Sequence, residues 1–143
     1  MHLRLIRSIV EQQKIVTASP QITVSEAARL MKQNRVGAVM ITEAGCLIGI
    51  FTERDALFRV LAEGRDGQAT VLAEVMTPNP HTIGPDKPLG HALHMMYESG
   101  FRHVPVVENG RPLGMVSARD ALGPELQQFE VELQQREHLG EIL

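Results

Sequence analysis

The 143-residue chain, of ordinary length for one domain, is poor in aromatic residues. Phe, Trp and Tyr together make up 3% of the sequence, Trp is absent and Tyr97 is the single tyrosine. Hydrophobic residues nevertheless reach 43%, close to the globular average, so the core must be built from aliphatic side chains. With so few rings, the chain also has little on which single-stranded bases could stack.

Strong net charge, long apolar runs and paired cysteines are lacking as well. The formal net charge of −3 gives no general attraction to nucleic acid. No apolar run approaches the roughly 20 residues that span a bilayer, and the N-terminal segment does not predict a signal peptide. Cys46 is the single cysteine and cannot form an internal disulfide. We therefore expect a cytoplasmic protein without nucleic-acid or membrane partners.

Motifs typical of catalysis are missing too. The sequence contains no P-loop lysine, no nucleophile elbow and no HExxH pattern, and no pair of carboxylates with catalytic spacing can be assigned. We therefore expect no enzyme activity in this chain.

What the sequence does contain is a nine-residue segment that occurs twice in similar form. GIFTERDAL runs from Gly49 to Leu57, and GMVSARDAL runs from Gly114 to Leu122. When the chain is shifted by 65 residues, 12 of the 41 positions from 17 to 57 are identical, whereas about two or three identities are expected by chance. The chain therefore contains an internal duplication of a supersecondary unit.

Both copies predict the same order of elements, β-α-β-β-α. In the first copy Thr23 and Glu26 form a capping box for a helix. Two apolar strands joined by a turn follow, and in the second copy this turn holds Asn109-Gly110, a strong hairpin signal. Thr52 and Ser117 then open the last helix of each copy.

These elements predict an α/β (α+β) protein with units at 8–66 and 67–123, followed by an amphipathic C-terminal helix over 124–143. The tail carries Leu126, Phe129 and Leu133 at helical spacing. Because its other face is rich in Glu and Gln, we expect it to pack on its own domain or on a dimer partner rather than on a membrane.

Two features could indicate a metal or redox site, but a purely structural role of the residues explains each of them better. His91 and His94 lie three residues apart on a predicted helix, but the repeat aligns them with the polar Glu26 and Arg29. This places both histidines on the solvent face, and no metal site is predicted. Cys46 has no cation cluster nearby to activate its thiol, so we expect it to be a buried or half-buried, inert residue.

The repeated Thr/Ser-x-Arg-Asp segment allows two interpretations. A hydroxyl at the N-cap with Asp55 or Asp120 three residues later suits any helix start. Capping does not explain Arg54 and Arg119, because a cation in the first turn opposes the helix dipole. Alternatively, the helix start could seat a phosphate and the carboxylate could accept both hydroxyls of a ribose. The two interpretations are compatible, since a capping residue can also contact a ligand.

Two β-α-β-β-α units that each end in Gly-h-h-[Thr/Ser]-x-x-Asp resemble a tandem cystathionine-β-synthase (CBS) domain pair, also called a Bateman module. VMTPNP at the start of the second copy and RHVPVV within it are typical of that family. The resemblance covers about residues 8–123. It implies two units packed sheet to sheet about a pseudo-two-fold axis, clefts that bind adenine nucleotides or related adenosyl ligands, and pairing of modules into a homodimer.

The resemblance further implies two ligand sites, each combining the Thr/Ser and Asp of one unit with residues of the other. Site A would consist of Thr52, Asp55, Arg102, His103 and Arg119. Site B would consist of Ser117, Asp120, Arg54, Arg35, Gly37 and Ala38. The adenine would lie in an apolar slot near Thr17 or Thr82. Because Gly37 and Ala38 align with Arg102 and His103, we expect the first site to be richer in cations and to bind phosphate more tightly.

The functional expectation is a regulatory module that senses an adenosine-containing ligand and passes its state to an effector protein. AMP, ADP, ATP, NAD and S-adenosylmethionine all carry the required ribose and adenine, and no cofactor is required. The alternative is a ligand-free dimerising scaffold in which Thr52, Ser117 and the two Asp are only caps. A third, weaker possibility is a redox or metal sensor that uses Cys46 and the histidines.

Overall fold

The computed structural model describes residues 4–121, Gly123 and residues 131–137. Six short strands lie within this part of the chain: β1 (Thr17–Ala18), β2 (Ala38–Glu43), β3 (Cys46–Thr52), β4 (Thr77–Pro78), β5 (His103–Glu108) and β6 (Arg111–Ser117). The named helices are α1 (Ile6–Val10), α2 (Val24–Asn34), α3 (Glu53–Asp55), α4 (Leu72–Val75) and α5 (Leu89–Ser99). Helix α3 continues as a π-helix over Ala56–Leu61, a 3₁₀ turn covers Ala118–Ala121, and residues 131–137 are helical.

The first unit is built on a sheet with strand order β1-β2-β3-β4. Strand β1 is parallel to β2, and β2 and β3 form an antiparallel hairpin in which Ala38 lies opposite Thr52. The hairpin turn places Ala44 and Gly45 at φ angles of 53° and 79°. Gly45 adopts this left-handed conformation without strain because it has no Cβ. The β-α-β-β-α order predicted for this unit is therefore confirmed.

The second unit repeats this hairpin with strands β5 and β6. His103 lies opposite Ser117, and the turn at Asn109-Gly110 has φ angles of 54° and 77°, as the hairpin signal in the sequence predicts. A single parallel bridge joins Ile83 to Val106, at the place that β1 occupies beside β2 in the first unit.

Each unit completes its core with a short helix from the segment that precedes the other repeat. Helix α1 contributes Ile6 and Val10 to the core of the second unit, and α4 contributes Leu72 and Val75 to the core of the first. Strand β4 follows α4 and pairs with β3 of the first sheet. Burial of these apolar side chains ties the connecting segments to the opposite unit, while the division of the sequence at 66/67 stays a prediction.

Local signals in the sequence fix the helix starts. Thr23 and Glu26 form the predicted capping box at α2, with the Glu26 amide donating to the Thr23 hydroxyl at 3.2 Å. Helix α5 begins after Pro88 and ends at Gly100 in the left-handed conformation. A glycine at this position satisfies the last carbonyls of a helix without strain.

Three sequence expectations concern the surface. Cys46 is exposed, so the expectation of a buried or half-buried thiol is wrong: it opens strand β3, beside the hairpin turn. His91 and His94 lie on the exposed side of α5, and His94 Nε2 contacts Glu98 Oε1 at 2.9 Å. In the tail, residues 131–137 are helical and exposed, whereas Leu126 and Phe129 lie outside the described residues.

Candidate functional site

Two cavities lie where the hairpin and helix start of one unit face the other unit. The Asp120 cleft has a volume of about 680 Å³ and is lined by Gln13, Lys14, Ile15, Val16, Asn34, Arg35, Val36, Gly37, Ala38, Met40, Glu53, Arg102, His103, Gly114, Met115, Ser117, Ala118, Arg119 and Asp120. The Asp55 cleft has a volume of about 860 Å³ and is lined by Ile50, Thr52, Glu53, Arg54, Asp55, Leu57, Phe58, Arg59, Thr77, Asn79, Pro80, His81, Gly100, Phe101, Arg102 and His103. Both volumes fall in the range of small-molecule sites.

In the Asp120 cleft, strand β6 delivers Ser117 to the start of the 3₁₀ turn that carries Asp120. Oδ2 of Asp120 accepts hydrogen bonds from the Ser117 backbone N–H at 2.7 Å and from its hydroxyl at 3.4 Å. Within residues 4–121, no group donates a hydrogen bond to the other oxygen, Oδ1. The carboxylate is thus fixed through one oxygen and can accept a hydrogen bond through the other.

In the Asp55 cleft the equivalent carboxylate is more fully engaged. Oδ2 of Asp55 accepts from the Thr52 backbone N–H at 3.0 Å and from its hydroxyl at 3.1 Å, and the Asp55 amide donates back to that hydroxyl at 3.2 Å. Oδ1 forms an ion pair with Arg59 Nε at 3.5 Å. Asp55 is also buried, with 8% of its surface exposed.

The structure distributes the predicted cations differently from the sequence expectation. Arg119 lines the Asp120 cleft and Arg54 lines the Asp55 cleft, the reverse of the assignment that crosses the two units. The reason is local, because each arginine lies next to its own aspartate at the same helix start. Arg35 lines the Asp120 cleft, together with Gly37 and Ala38 as expected for site B.

The two clefts share one wall, formed by Glu53, Arg102 and His103. The cations of site A therefore do not belong to the Asp55 cleft alone, and the Asp120 cleft is not the poorer of the two in positive charge. Gly37 packs against this wall so closely that an added Cβ would lie 2.5 Å from Glu53 Oε1 and 3.3 Å from His103 Nε2. A side chain at position 37 would therefore displace the shared residues.

His103 is held neutral in this wall. Burial lowers the pKa of its imidazole from the ordinary value of 6.5; the negative charge of Glu53 opposes this shift, Arg102 adds to it, and Asp120 opposes it. The net direction is downward, so His103 carries no charge at neutral pH and acts there as a hydrogen-bonding group rather than as a cation.

The predicted adenine slots lie close to, but not at, the predicted threonines. Neither Thr17 nor Thr82 lines a cleft. The apolar wall of the Asp120 cleft comes instead from Ile15, Val16, Met40 and Met115. In the Asp55 cleft the aromatic surface comes from Phe58 and from the stacked pair His81 and Phe101, whose ring centroids lie 5.5 Å apart.

Several residues that line the clefts were not predicted from the sequence. Lys14 and Gln13 enter the Asp120 cleft because Gln13 is fastened to strand β6 by side-chain hydrogen bonds with the Met115 backbone at 2.7 and 2.9 Å. This contact joins residues 102 positions apart, and no local pattern indicates it. Arg59 is different: its spacing of four residues from Asp55 on a predicted helix could have indicated the ion pair.

Two further findings bear on other classes of function. Among the described residues, no group of three or more His, Cys, Asp and Glu side chains could hold a metal ion. Over the same part of the chain, no helix combines the length and apolar character that crossing a bilayer requires.

Comparison with known sequences shows which family the chain belongs to. A sequence model described as the CBS domain matches residues 6–62 and 72–123. The CBS domain-containing protein YhcV of Bacillus subtilis is 39% identical over 107 residues, which cover 75% of this chain and 76% of YhcV. The CBS domain-containing protein CBSCBSPB2 of Arabidopsis thaliana is 36% identical over 118 residues, which cover 82% of this chain but only 22% of the plant protein.

Solved structures agree with the sequence match. A CBS-domain containing protein from Agrobacterium tumefaciens superposes with a TM-score of 0.75 and 31% identity, over 82% of this chain and 90% of that chain. A CBS domain protein from Pyrobaculum aerophilum, complexed with AMP, superposes with a TM-score of 0.73 and 26% identity, over 81% of this chain and 88% of that chain.

Proposed function

This chain belongs to the CBS-domain family as a tandem pair, and we propose that it is a regulatory, non-enzymatic module that binds an adenosine-containing nucleotide in the Asp120 cleft. The observation that carries the proposal is the Asp120 carboxylate, which Ser117 holds through Oδ2 while no partner within residues 4–121 occupies Oδ1. The two hydroxyls of a ribose are donors that suit such an acceptor.

Positive groups in the same cleft suit the phosphate end of the ligand. Lys14, Arg35, Arg102 and Arg119 all line the cavity. Guanidinium groups bind phosphate oxygens in pairs through charge-assisted hydrogen bonds. Glu53 and Asp120 are the acidic residues that line the same cavity, so positive charge exceeds negative charge around it.

The apolar part of the cleft suits the adenine. Ile15, Val16, Met40 and Met115 offer aliphatic and thioether surface, which a flat heterocycle can cover while its edge bonds to backbone groups. We infer that AMP is the ligand to test first, because the related protein from Pyrobaculum aerophilum is complexed with AMP. ADP, ATP, NAD and S-adenosylmethionine share the adenosine that this cleft would recognise.

Regulation would follow from the position of the cleft between the units. Asp120 belongs to the second unit, and Gly37 and Ala38 belong to the first. The units also touch directly, since Leu47 donates its backbone N–H to the Gly110 carbonyl at 2.9 Å. A ligand that binds both sides favours one arrangement of the units by the difference in its affinity for the alternatives, and a coupling of about 1–3 kcal/mol is sufficient for a switch.

Thermal unfolding and titration calorimetry with AMP test this proposal. At 100 times its Kd, AMP should stabilise the wild-type chain by about 2.7 kcal/mol, and Asp120→Asn should abolish most of that stabilisation. Thr23→Ala is the matched control, because it removes a helix cap that lies outside both clefts. Equal AMP responses of the Asp120→Asn and wild-type proteins would contradict the proposal.

A second candidate function is a dimerising scaffold. The π-helix leaves Leu57, Phe58 and Leu61 exposed by 49%, 54% and 71%. Neighbouring exposed apolar side chains mark surfaces that associate with a partner. Sedimentation equilibrium of the wild-type chain and of Leu61→Lys tests this role, because a scaffold dimer should dissociate on substitution whether or not nucleotide is present. A monomeric wild-type protein would exclude a homodimeric scaffold.

A further inference from the structure

The Asp55 carboxylate is occupied on both of its oxygens by groups of its own unit. Thr52 takes Oδ2 through its backbone N–H and its hydroxyl, and Arg59 takes Oδ1 at 3.5 Å. Arg59 is itself anchored, because Nη1 donates to the Met76 carbonyl at 3.2 Å and to the Val75 carbonyl at 3.4 Å. The guanidinium therefore joins the carboxylate to the segment between α4 and β4.

Among the described residues, no arginine forms an ion pair with the Asp120 carboxylate. Under the 65-residue shift that relates the two units, Pro124 stands where Arg59 stands in the first unit. A proline side chain has neither a charge nor a donor to offer. The two clefts are thus alike in their Thr/Ser-x-x-Asp segments. They differ in whether Oδ1 of the aspartate has a partner among the described residues.

We propose that Arg59 withholds Asp55 from the ribose of a nucleotide, so that the Asp55 cleft binds adenosine ligands more weakly and fills second. This inference rests on the proposed function, because it concerns the same type of ligand. Arg59 is then a specificity-determining residue, since it decides how readily the Asp55 cleft accepts the ribose.

Binding of a ribose at Asp55 costs free energy because Oδ1 must exchange Arg59 for a ribose hydroxyl. A ribose hydroxyl that donates to Oδ1 competes there with the guanidinium. Displacing Arg59 breaks the ion pair and its carbonyl anchors together. The Arg59 side chain is 51% exposed, so solvent screens the pair and its effect on affinity is moderate. We expect its removal to strengthen AMP binding in this cleft by up to about fivefold.

The test measures the Asp55 cleft alone. Asp120→Asn weakens the other cleft, and AMP affinity is measured by calorimetry in that background with and without Arg59→Met. The expected result is that the Asp120→Asn/Arg59→Met double variant binds AMP up to about fivefold more tightly than Asp120→Asn alone. Arg54→Met in the same background is the matched control, because Arg54 lines the same cleft but contacts Phe58 rather than Asp55. Its removal should weaken AMP binding.

A second variant guards against loss of folding when Arg59 is replaced by Met. Arg59→Lys keeps the charge but lacks the fork that holds the carboxylate and the carbonyls together, so it should also strengthen AMP binding, by a smaller factor. If the folded Arg59 variants bind AMP no more tightly than their parent, the inference about Arg59 is wrong. If wild-type binding still depends on Asp120 in that case, the proposed function stands. No AMP binding in any protein overturns the proposed function as well.

Discussion

Gln13 and Met115 are joined by a reciprocal pair of hydrogen bonds. The side-chain amide of Gln13 donates to the Met115 backbone carbonyl at 2.7 Å and accepts from the Met115 backbone N–H at 2.9 Å. The amide of Gln13 thus acts as a short extra strand partner for β6. It holds the segment with Lys14, Ile15 and Val16 at the mouth of the Asp120 cleft.

Gln13→Ala should lower the free energy of unfolding by about 1–2 kcal/mol, because two partly buried backbone groups lose their partners. AMP affinity should fall as well, since the cleft loses the support of one wall. Urea unfolding and calorimetry measure the two effects. Gln12→Ala, at an exposed neighbouring position, should leave both quantities within error; equal losses from the two substitutions would contradict the assigned role.

Gly114 lies where helix α1 crosses strand β6, and a side chain does not fit there. A Cβ at this position would lie 2.8 Å from Val10 Cβ and 2.6 Å from Gln13 Oε1. Gly114→Ala should therefore destabilise the protein by about 1–3 kcal/mol through overpacking. Gly84→Ala is the control, because an added Cβ there meets no atom of the described structure within 4 Å. Equal stability of the two variants would show that α1 does not pack as described.

The lowered pKa of His103 predicts how stability depends on pH. Burial, the first cause, places its folded-state pKa below the ordinary value of 6.5, so the unfolded chain binds more protons between the two values. The contribution of neutral His103 is complete above about pH 6.5 and is lost as the pH falls through the folded-state pKa.

Urea unfolding between about pH 7.5 and pH 5.5 measures this dependence. Wild-type protein should lose more stability on acidification than His103→Gln, because the variant cannot bind the proton. His91→Gln, at an exposed position on α5, should follow the wild type. Parallel pH profiles for the wild-type and His103→Gln proteins would contradict the assignment.

Arg102 should affect nucleotide binding in whichever cleft the nucleotide lies, because it lines both. Arg102→Met should weaken AMP binding by about tenfold through loss of a charge-assisted contact with phosphate. Arg29 lies on the exposed face of α2 and lines neither cleft. Arg29→Met should therefore leave the AMP affinity unchanged. Calorimetric titration with AMP separates the two results, and equal affinities would contradict a role for the shared wall.

The sequence was sufficient to predict the repeated units and their hairpins. The 65-residue shift aligns Thr52 with Ser117 and Asp55 with Asp120, and local signals such as Asn109-Gly110 specify the turns. Each of these features depends on residues that lie close together in the chain, where spacing determines geometry.

The features that escaped prediction depend on long-range packing. Nothing in the sequence near Ile6 or Leu72 indicates that each packs in the core of the other unit. The side chains of Arg54 and Arg119 were assigned to opposite clefts because the resemblance relates the units without fixing side-chain directions. In the structure each lies beside its own aspartate's cleft, an outcome that the position of Arg54 and Arg119 within a helix turn dictates locally.

A crystal structure of the chain grown with AMP tests most directly whether the Asp120 cleft binds the nucleotide. We expect AMP in this cleft, with a ribose hydroxyl within hydrogen-bond distance of Asp120 Oδ1 and the phosphate among Arg35, Arg102 and Arg119. AMP bound only at Asp55, or an empty Asp120 cleft at saturating AMP, would contradict this expectation.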